Sequence, residues 1–70
     1  MKHKTMYALF DKQIYSTSYF ETKTEVINFM NKLISWKLKS NPNLKNISFD
    51  DLCIESDCIV KKIEVKQWIN

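Results

Sequence analysis

Residues 22–42 read TKTEVINFMNKLISWKLKSNP and carry the signals of one amphipathic helix. Thr22 and Glu25 fit a capping box, in which the threonine hydroxyl accepts from an early backbone N–H and the glutamate reaches back. Thr24 is a rival N-cap. At 100° per residue, the apolar side chains fall on one arc of about 200°: Val26, Ile27, Phe29, Met30, Leu33, Ile34, Trp36 and Leu38. Asn41 before Pro42 ends the helix, because asparagine tolerates a left-handed C-cap and a residue before proline avoids the α conformation.

A hairpin is predicted ahead of this helix. Thr5–Phe10 and Gln13–Phe20 are rich in aromatic and β-branched residues and flank a polar step at residues 11–12. A two-residue loop would pair Leu9 with Ile14, although the lack of Asn-Gly or Asp-Gly leaves the turn type and the register open. The face opposite Leu9 would carry Met6, Ala8, Phe10, Tyr15, Thr17 and Tyr19.

The second half of the chain predicts a short helix and a last strand. Ser48 is the expected N-cap of a helix over residues 49–54, after a loop at residues 43–46. Cys58–Ile69 alternates, which is typical of a strand with one buried face. The expected buried side is Ile59, Ile63, Val65 and Ile69, and the expected exposed side is Lys62, Glu64 and Lys66. The fold class is therefore α+β, a single domain over residues 1–70. It has a small single-layer three-stranded antiparallel sheet and one main amphipathic helix, in the order β-β-α-(short α)-β.

The composition excludes much chemistry. The chain has no glycine and no arginine, and its one histidine is His3. Phosphate-cradling loops need glycine, bidentate recognition needs the arginine fork, and general-base catalysis near neutral pH usually uses histidine. Because no nucleophile–base pair can be assembled, we expect no enzyme activity and no cofactor.

Metal binding is not expected either. Cys53 and Cys58 are spaced five apart, which favours buried or half-buried free thiols, with a disulfide and a metal site as alternatives. The acidic residues of the second half could cap the short helix, form a contact patch for a basic partner or bind a cation: Asp50, Asp51, Glu55 and Asp57. They lack the spacing of a calcium-binding loop.

Charge and hydropathy point to a cytoplasmic protein. The formal net charge is +3, short of the basic stripe of a dedicated nucleic-acid binder. The N-terminus has no apolar signal segment, and no apolar run approaches the roughly 20 residues of a membrane span.

The distribution of apolar residues predicts association. One helix covers one side of the sheet, yet both sides of the hairpin carry large apolar groups, and Val60 and Trp68 would add to the uncovered side. Three alternatives are open for the side that this helix does not cover. The 43–57 segment packs on it, it pairs in a homodimer, or it docks on another protein. Trp68 is the expected exposed anchor, because tryptophan is enriched in interface hot spots. The candidate partner-binding residues are Tyr7, Tyr15, Tyr19, Trp68, Lys62 and Lys66.

Four features of the chain are the start at Met1, the Lys/Ile/Asn bias, Y-A-L-F-D-K at Tyr7–Lys12 and T-K-T-E at Thr22–Glu25. In these four features, the chain resembles the small α+β accessory proteins of phages and mobile elements in low-GC bacteria. The resemblance implies a non-catalytic inhibitor or modulator of a host protein, such as a defence nuclease or polymerase. The alternative is a small nucleic-acid binder, in which tyrosines stack bases and lysines contact phosphates. Its lysines would be Lys2, Lys4, Lys12, Lys32, Lys39 and Lys45.

Overall fold

A computed structural model describes residues 2–67 of the chain, with side chains for residues 4–65. The fold is α+β, as predicted: a three-stranded antiparallel sheet in the order β2-β1-β3, with a layer of helices on one face. The elements are β1 (Lys2–Asp11), β2 (Ser16–Phe20), α1 (Lys23–Leu33), α2 (Ser35–Ser40), a 3-10 helix (Pro42–Asn46), α3 (Phe49–Ser56) and β3 (Cys58–Gln67).

The hairpin forms with a longer loop than predicted. Four residues follow Asp11 before β2 begins, so Leu9 pairs with Ser18, four positions beyond the predicted partner. Two local features define the shape of this loop. The Asp11 carboxylate accepts a hydrogen bond from the Gln13 backbone N–H (3.0 Å), and Tyr15 takes a left-handed conformation (φ 51°). Because the shift is an even number of residues, each strand keeps its predicted faces.

Thr22 is confirmed as the N-cap of α1, and Glu25 reaches back to the Thr22 hydroxyl rather than to its backbone N–H. The Thr22 hydroxyl accepts from the Glu25 backbone N–H (3.2 Å) and donates to the Glu25 carboxylate (3.0 Å). The prediction of one continuous helix is wrong, since Ile34 (φ −106°, ψ 19°) separates α1 from α2. This change of direction keeps Ile34 in the core and leaves Trp36, a predicted member of the apolar arc, 66% exposed.

Two turns differ from the sequence prediction. Asn41 ends α2 in an extended conformation (φ −140°) rather than a left-handed one. Pro42 then begins the 3-10 helix where a loop was expected, because its fixed φ suits a first helical position. Ser48 caps α3 as predicted, with its hydroxyl accepting from the Asp51 backbone N–H (3.2 Å). The left-handed cap is at Asp57 (φ 57°), which turns the chain into β3.

The core lies between the sheet and the helices. Its buried apolar residues form one cluster: Leu9, Val26, Met30, Ile34, Leu52 and Cys58. These residues come from β1, α1, the junction of α1 and α2, α3 and the start of β3, so α1 and α3 pack on the same face of the sheet. The 43–57 segment therefore adds to the covered side and leaves the other side open.

The prediction that Ile59, Ile63 and Val65 form the buried side of β3 is wrong. Leu9 pairs with Val60, and antiparallel partners share a face, so Val60 packs against the core. Ile59 pairs with Phe10 on the other face and is 45% exposed. The molecule is elongated (50 × 24 × 16 Å), and α3 contacts the sheet where β3 begins. The helix side of β3 is therefore apolar only at its start and continues as Lys62 and Glu64.

Candidate docking face

The side of the sheet opposite the helices forms a mostly apolar surface, which we call the open face. Among residues 4–65, the register places ten strand residues on it: Lys4, Met6, Ala8, Phe10, Thr17, Tyr19, Ile59, Lys61, Ile63 and Val65. All ten alternate with the core-facing positions of their strands. The face runs from the hairpin end of the sheet along the two-stranded extension formed by β1 and β3.

A hollow of about 290 Å³ lies in the hairpin half of the open face. It is lined by Ala8, Phe10, Thr17, Ile59 and Lys61. The register explains it, because Ala8 lies directly between Tyr19 on β2 and Lys61 on β3. A small side chain between two long ones leaves a depression with an apolar floor.

Two exposed tyrosines lie beside residues that line this hollow, Tyr19 beside Ala8 and Tyr15 beside Phe10. Tyr19 projects from β2 and is 61% exposed, and Tyr15 projects from the hairpin loop and is 83% exposed. The Tyr15 ring meets the Phe10 ring edge to face, with 6.2 Å between centroids. The loop thus extends the apolar surface beyond the strands.

The charge of the open face is positive. The Lys4 ammonium lies 2.7 Å from the Glu21 carboxylate at the edge of the sheet, so these two charges neutralise each other. Lys61 is exposed and makes no ion pair or hydrogen bond within residues 4–65. The other side of the β1–β3 extension is polar, with a second hollow lined by Thr5, Lys62, Ile63 and Glu64.

Of the six candidate partner-binding residues, the four with described side chains divide between the two faces. The structure brings Tyr15 and Tyr19 together on the open face. Tyr7 pairs with Phe20 and packs against the core, so its assignment to an exposed aromatic face is wrong. Lys62 pairs with Tyr7 and therefore lies on the helix side of the sheet. Lys66 is in β3, but its side chain lies outside the described residues, and so does all of Trp68.

The sequence reasoning missed two residues of this site. It expected Ile59 to be buried, and it did not single out Lys61. The cross-strand partners of Phe10 and Ala8 place both of them on the open face. A correct assignment of Phe10 to the open side, combined with the register of β3, would have found them.

The lysines proposed for phosphate contact do not gather beside the tyrosines. Lys12 forms an ion pair with Asp57 (3.3 Å), and Lys4 is paired as described. The others with described side chains belong to the helical layer: Lys32, Lys39 and Lys45. They lie on the opposite side of the sheet from Tyr15 and Tyr19.

The cysteines have the predicted burial. Cys58 is buried, Cys53 is half-buried, and both are free thiols. Burial is the main cause that raises the pKa of each thiol, and for Cys53 the neighbouring Cys58 and Asp50 raise the pKa further. A raised pKa keeps a thiol protonated and a poor nucleophile at neutral pH.

The acidic residues of the second half are dispersed among local contacts. Asp50 and Asp51 are in the first turn of α3, where carboxylates favour the positive end of the helix dipole. Glu55 lies 3.6 Å from the Lys37 ammonium, which also donates to the Glu55 carbonyl (2.9 Å). Among residues 4–65, no three His, Cys, Asp or Glu side chains meet in a group that could hold a metal ion.

Comparison with known proteins gives no relative from which a role could be transferred: no family model, curated protein or solved structure matches the chain. Within the described residues, the helices are too short or too polar for any of them to cross a membrane.

Proposed function

We propose that this chain is a non-catalytic protein-binding module that docks on a partner protein through the open face. Following the resemblance to phage and mobile-element proteins, it acts as a phage-type accessory protein that inhibits or modulates a host protein. The observation that carries the proposal is the uncovered apolar side of the sheet, with Ile59 and Tyr19 exposed on its two outer strands.

The packing of the helices supports association. Three ways of covering this side were open from the sequence, and the first was the 43–57 segment. Because α3 packs with α1 on the opposite face, that segment does not cover it. A contiguous exposed apolar surface rimmed by polar groups is typical of a site where another protein binds.

The shape and charge of the face indicate the chemistry of the partner. The hollow lies at the lower limit of the roughly 300–1,000 Å³ that small-molecule sites occupy, and it suits one apolar side chain of a partner better than a metabolite. Lys61 at its border favours a carboxylate beside that apolar group. Tyr15 and Tyr19 add amphipathic area, which is common at interface hot spots.

The same geometry disfavours the nucleic-acid alternative. Binding of a single strand requires bases stacked on aromatic rings while lysines follow the backbone beside them. Here the two exposed tyrosines are on one side of the sheet and Lys32, Lys39 and Lys45 are on the other. One ligand strand would have to pass around the edge of the sheet to reach both sets.

Capture with matched isoleucine variants tests the proposal. The tagged chain is used to capture proteins from a lysate of cells that express it, with and without nuclease treatment, and the retained proteins are quantified by mass spectrometry. Ile59→Asp places a charge in the open face. Ile54→Asp places the same charge at an apolar residue of α3 that is 76% exposed on the helical layer. We expect one protein to be retained by the wild type and by Ile54→Asp, and lost with Ile59→Asp.

Two results would overturn this assignment. Equal retention by both variants would show that the open face is not the docking surface. Retention that disappears on nuclease treatment, and falls by about 0.7–0.9 log units per phosphate contact for each decade of salt, would identify a nucleic-acid binder. Thermal melting of both variants checks that each remains folded.

A further inference from the structure

The outer edge of β3 is the longest unpaired strand edge of the sheet. β3 covers ten residues, Cys58–Gln67, and pairs with β1 along its whole length on one side. Among residues 2–67, no strand pairs with its other side, because the order is β2-β1-β3. A long strand edge with unsatisfied N–H and C=O groups is a template for pairing with another strand.

The sequence of β3 is complementary to itself in one antiparallel register. If Ile63 faces Ile63 of a second copy, residues equally distant from this position on the two strands lie opposite each other. Lys62 then faces Glu64 of the second copy, and Glu64 faces Lys62 of the second copy. Opposite charges directly across an antiparallel pair are favourable. Glu64 has a contact within its own chain, and its two oxygens can accept from an additional donor.

The faces of the sheet agree with this register. Directly opposed residues of an antiparallel pair lie on the same face, so a pairing centred on one residue keeps odd positions with odd and even with even. Ile63 and Val65 of both copies would lie on the open side, and the charged pairs would lie on the polar side. Shifting the register by one residue would place the apolar side of one copy beside the polar side of the other.

We propose that two copies of this chain associate through their β3 edges, antiparallel and centred on Ile63, to form one six-stranded sheet. The two-fold axis is perpendicular to the sheet, so the open faces of both copies lie on the same side and join into one apolar surface. This inference rests on the strand edge and its charges, and it holds whether or not the open face binds a partner.

Charge exchange tests the pairing directly. Lys62→Glu alone and Glu64→Lys alone each convert two attractive pairs into two repulsive ones. Each variant should therefore raise the dimer dissociation constant by about 10-fold to 100-fold in sedimentation equilibrium. The double variant Lys62→Glu/Glu64→Lys should return to the wild-type value. An equimolar mixture of the two single variants should form a heterodimer, because every cross-strand pair in it is attractive again.

The mixing result separates pairing from folding. A variant that is monomeric because it is misfolded would not recover on mixing with another misfolded variant. A wild type that stays monomeric up to its solubility limit would overturn the proposal. So would single variants that dimerise as the wild type does, which would instead indicate association through the open face.

Cysteine cross-linking tests the register. Ile63→Cys, in a background with Cys53→Ser and Cys58→Ala, should form an intermolecular disulfide under mild oxidation with copper phenanthroline. Ile59→Cys in the same background is the matched control on the same face. The two copies of residue 59 would be about 27 Å apart along the strands, since eight residues at about 3.4 Å separate them. Equal cross-linking at both positions, or none at residue 63, would contradict the register.

Discussion

The assignment of the two sheet faces predicts unequal costs for two isomeric truncations. Leu9→Ala and Ile59→Ala remove the same number of carbon atoms from opposite faces of neighbouring strands. Leu9 is fully buried, whereas Ile59 is 45% exposed. Three carbon groups at about 0.8 kcal/mol each give about 2.4 kcal/mol of lost transfer free energy at full burial. The cavity left among Val26, Met30 and Ile34 raises the loss for Leu9→Ala to about 3–4 kcal/mol.

The same calculation gives a much smaller loss on the open face. About half of the Ile59 side chain is already in contact with water, so Ile59→Ala should reduce the free energy of unfolding by about 1.3 kcal/mol at most. Urea denaturation followed by far-UV circular dichroism measures both values. A domain of this size has a total stability of roughly 4–10 kcal/mol, so Leu9→Ala should shift the midpoint strongly. Equal losses, or a larger loss for Ile59→Ala, would refute the assignment and restore the buried face predicted from the alternation of β3.

Three further predictions concern local features of the fold. Thr22→Ala should cost about 1 kcal/mol in the free energy of unfolding, because it removes the N-cap of α1, and Thr24→Ala should cost clearly less, since Thr24 lies inside the helix. The thiols of Cys53 and Cys58 should react with iodoacetamide far more slowly in the native chain than in urea. The raised thiol pKa should also make stability fall as pH rises above the ordinary value of 9.0, and this loss should be smaller in a variant with both cysteines replaced. Asp57→Gly should be more stable than Asp57→Ala by about 1 kcal/mol, as measured by thermal melting, because the position is left-handed.

Signals that depend on a few adjacent residues could be predicted from the sequence. The caps at Thr22 and Ser48 are confirmed. In each, the side-chain hydroxyl accepts a hydrogen bond from the backbone N–H three residues later. The end of the α-helix before Pro42 is also confirmed, because proline restricts the residue before it. The α+β class followed from the sum of these local signals.

Features that depend on pairing between distant strands could not be predicted. The four-residue hairpin loop includes the left-handed Tyr15 and follows the buried Asp11, and neither residue is a standard hairpin signal. The buried side of β3 was wrong because alternation shows that a strand has two different faces but not which one meets the helices. Ile59 and Ile63 are apolar without lying in the core.

The faces of the candidate residues were predicted in part for the same reason. Tyr19 lies on the face predicted for it, because the parity of the hairpin did not change when its register shifted by four. Tyr15 was predicted in the second strand, but it lies in the hairpin loop and reaches the open face through its ring contact with Phe10. The assignment of Tyr7 to the exposed face was wrong, since Tyr7 is two residues from the buried Leu9 on the same strand and therefore lies on the same face. The hollow at Ala8 could not be foreseen, because it exists only where the β1–β2 and β1–β3 registers coincide.

The claim that the open face is the docking surface is tested most directly by nuclear magnetic resonance. The ¹⁵N-labelled chain is titrated with the captured partner protein, and the shift of each assigned backbone amide is recorded. The account predicts that the largest changes occur around the hollow, at Ala8, Thr17, Tyr19, Ile59 and Lys61, and that the helical layer changes little. Changes concentrated on α1, α2 and the 3-10 helix, with the open face unaffected, would contradict it.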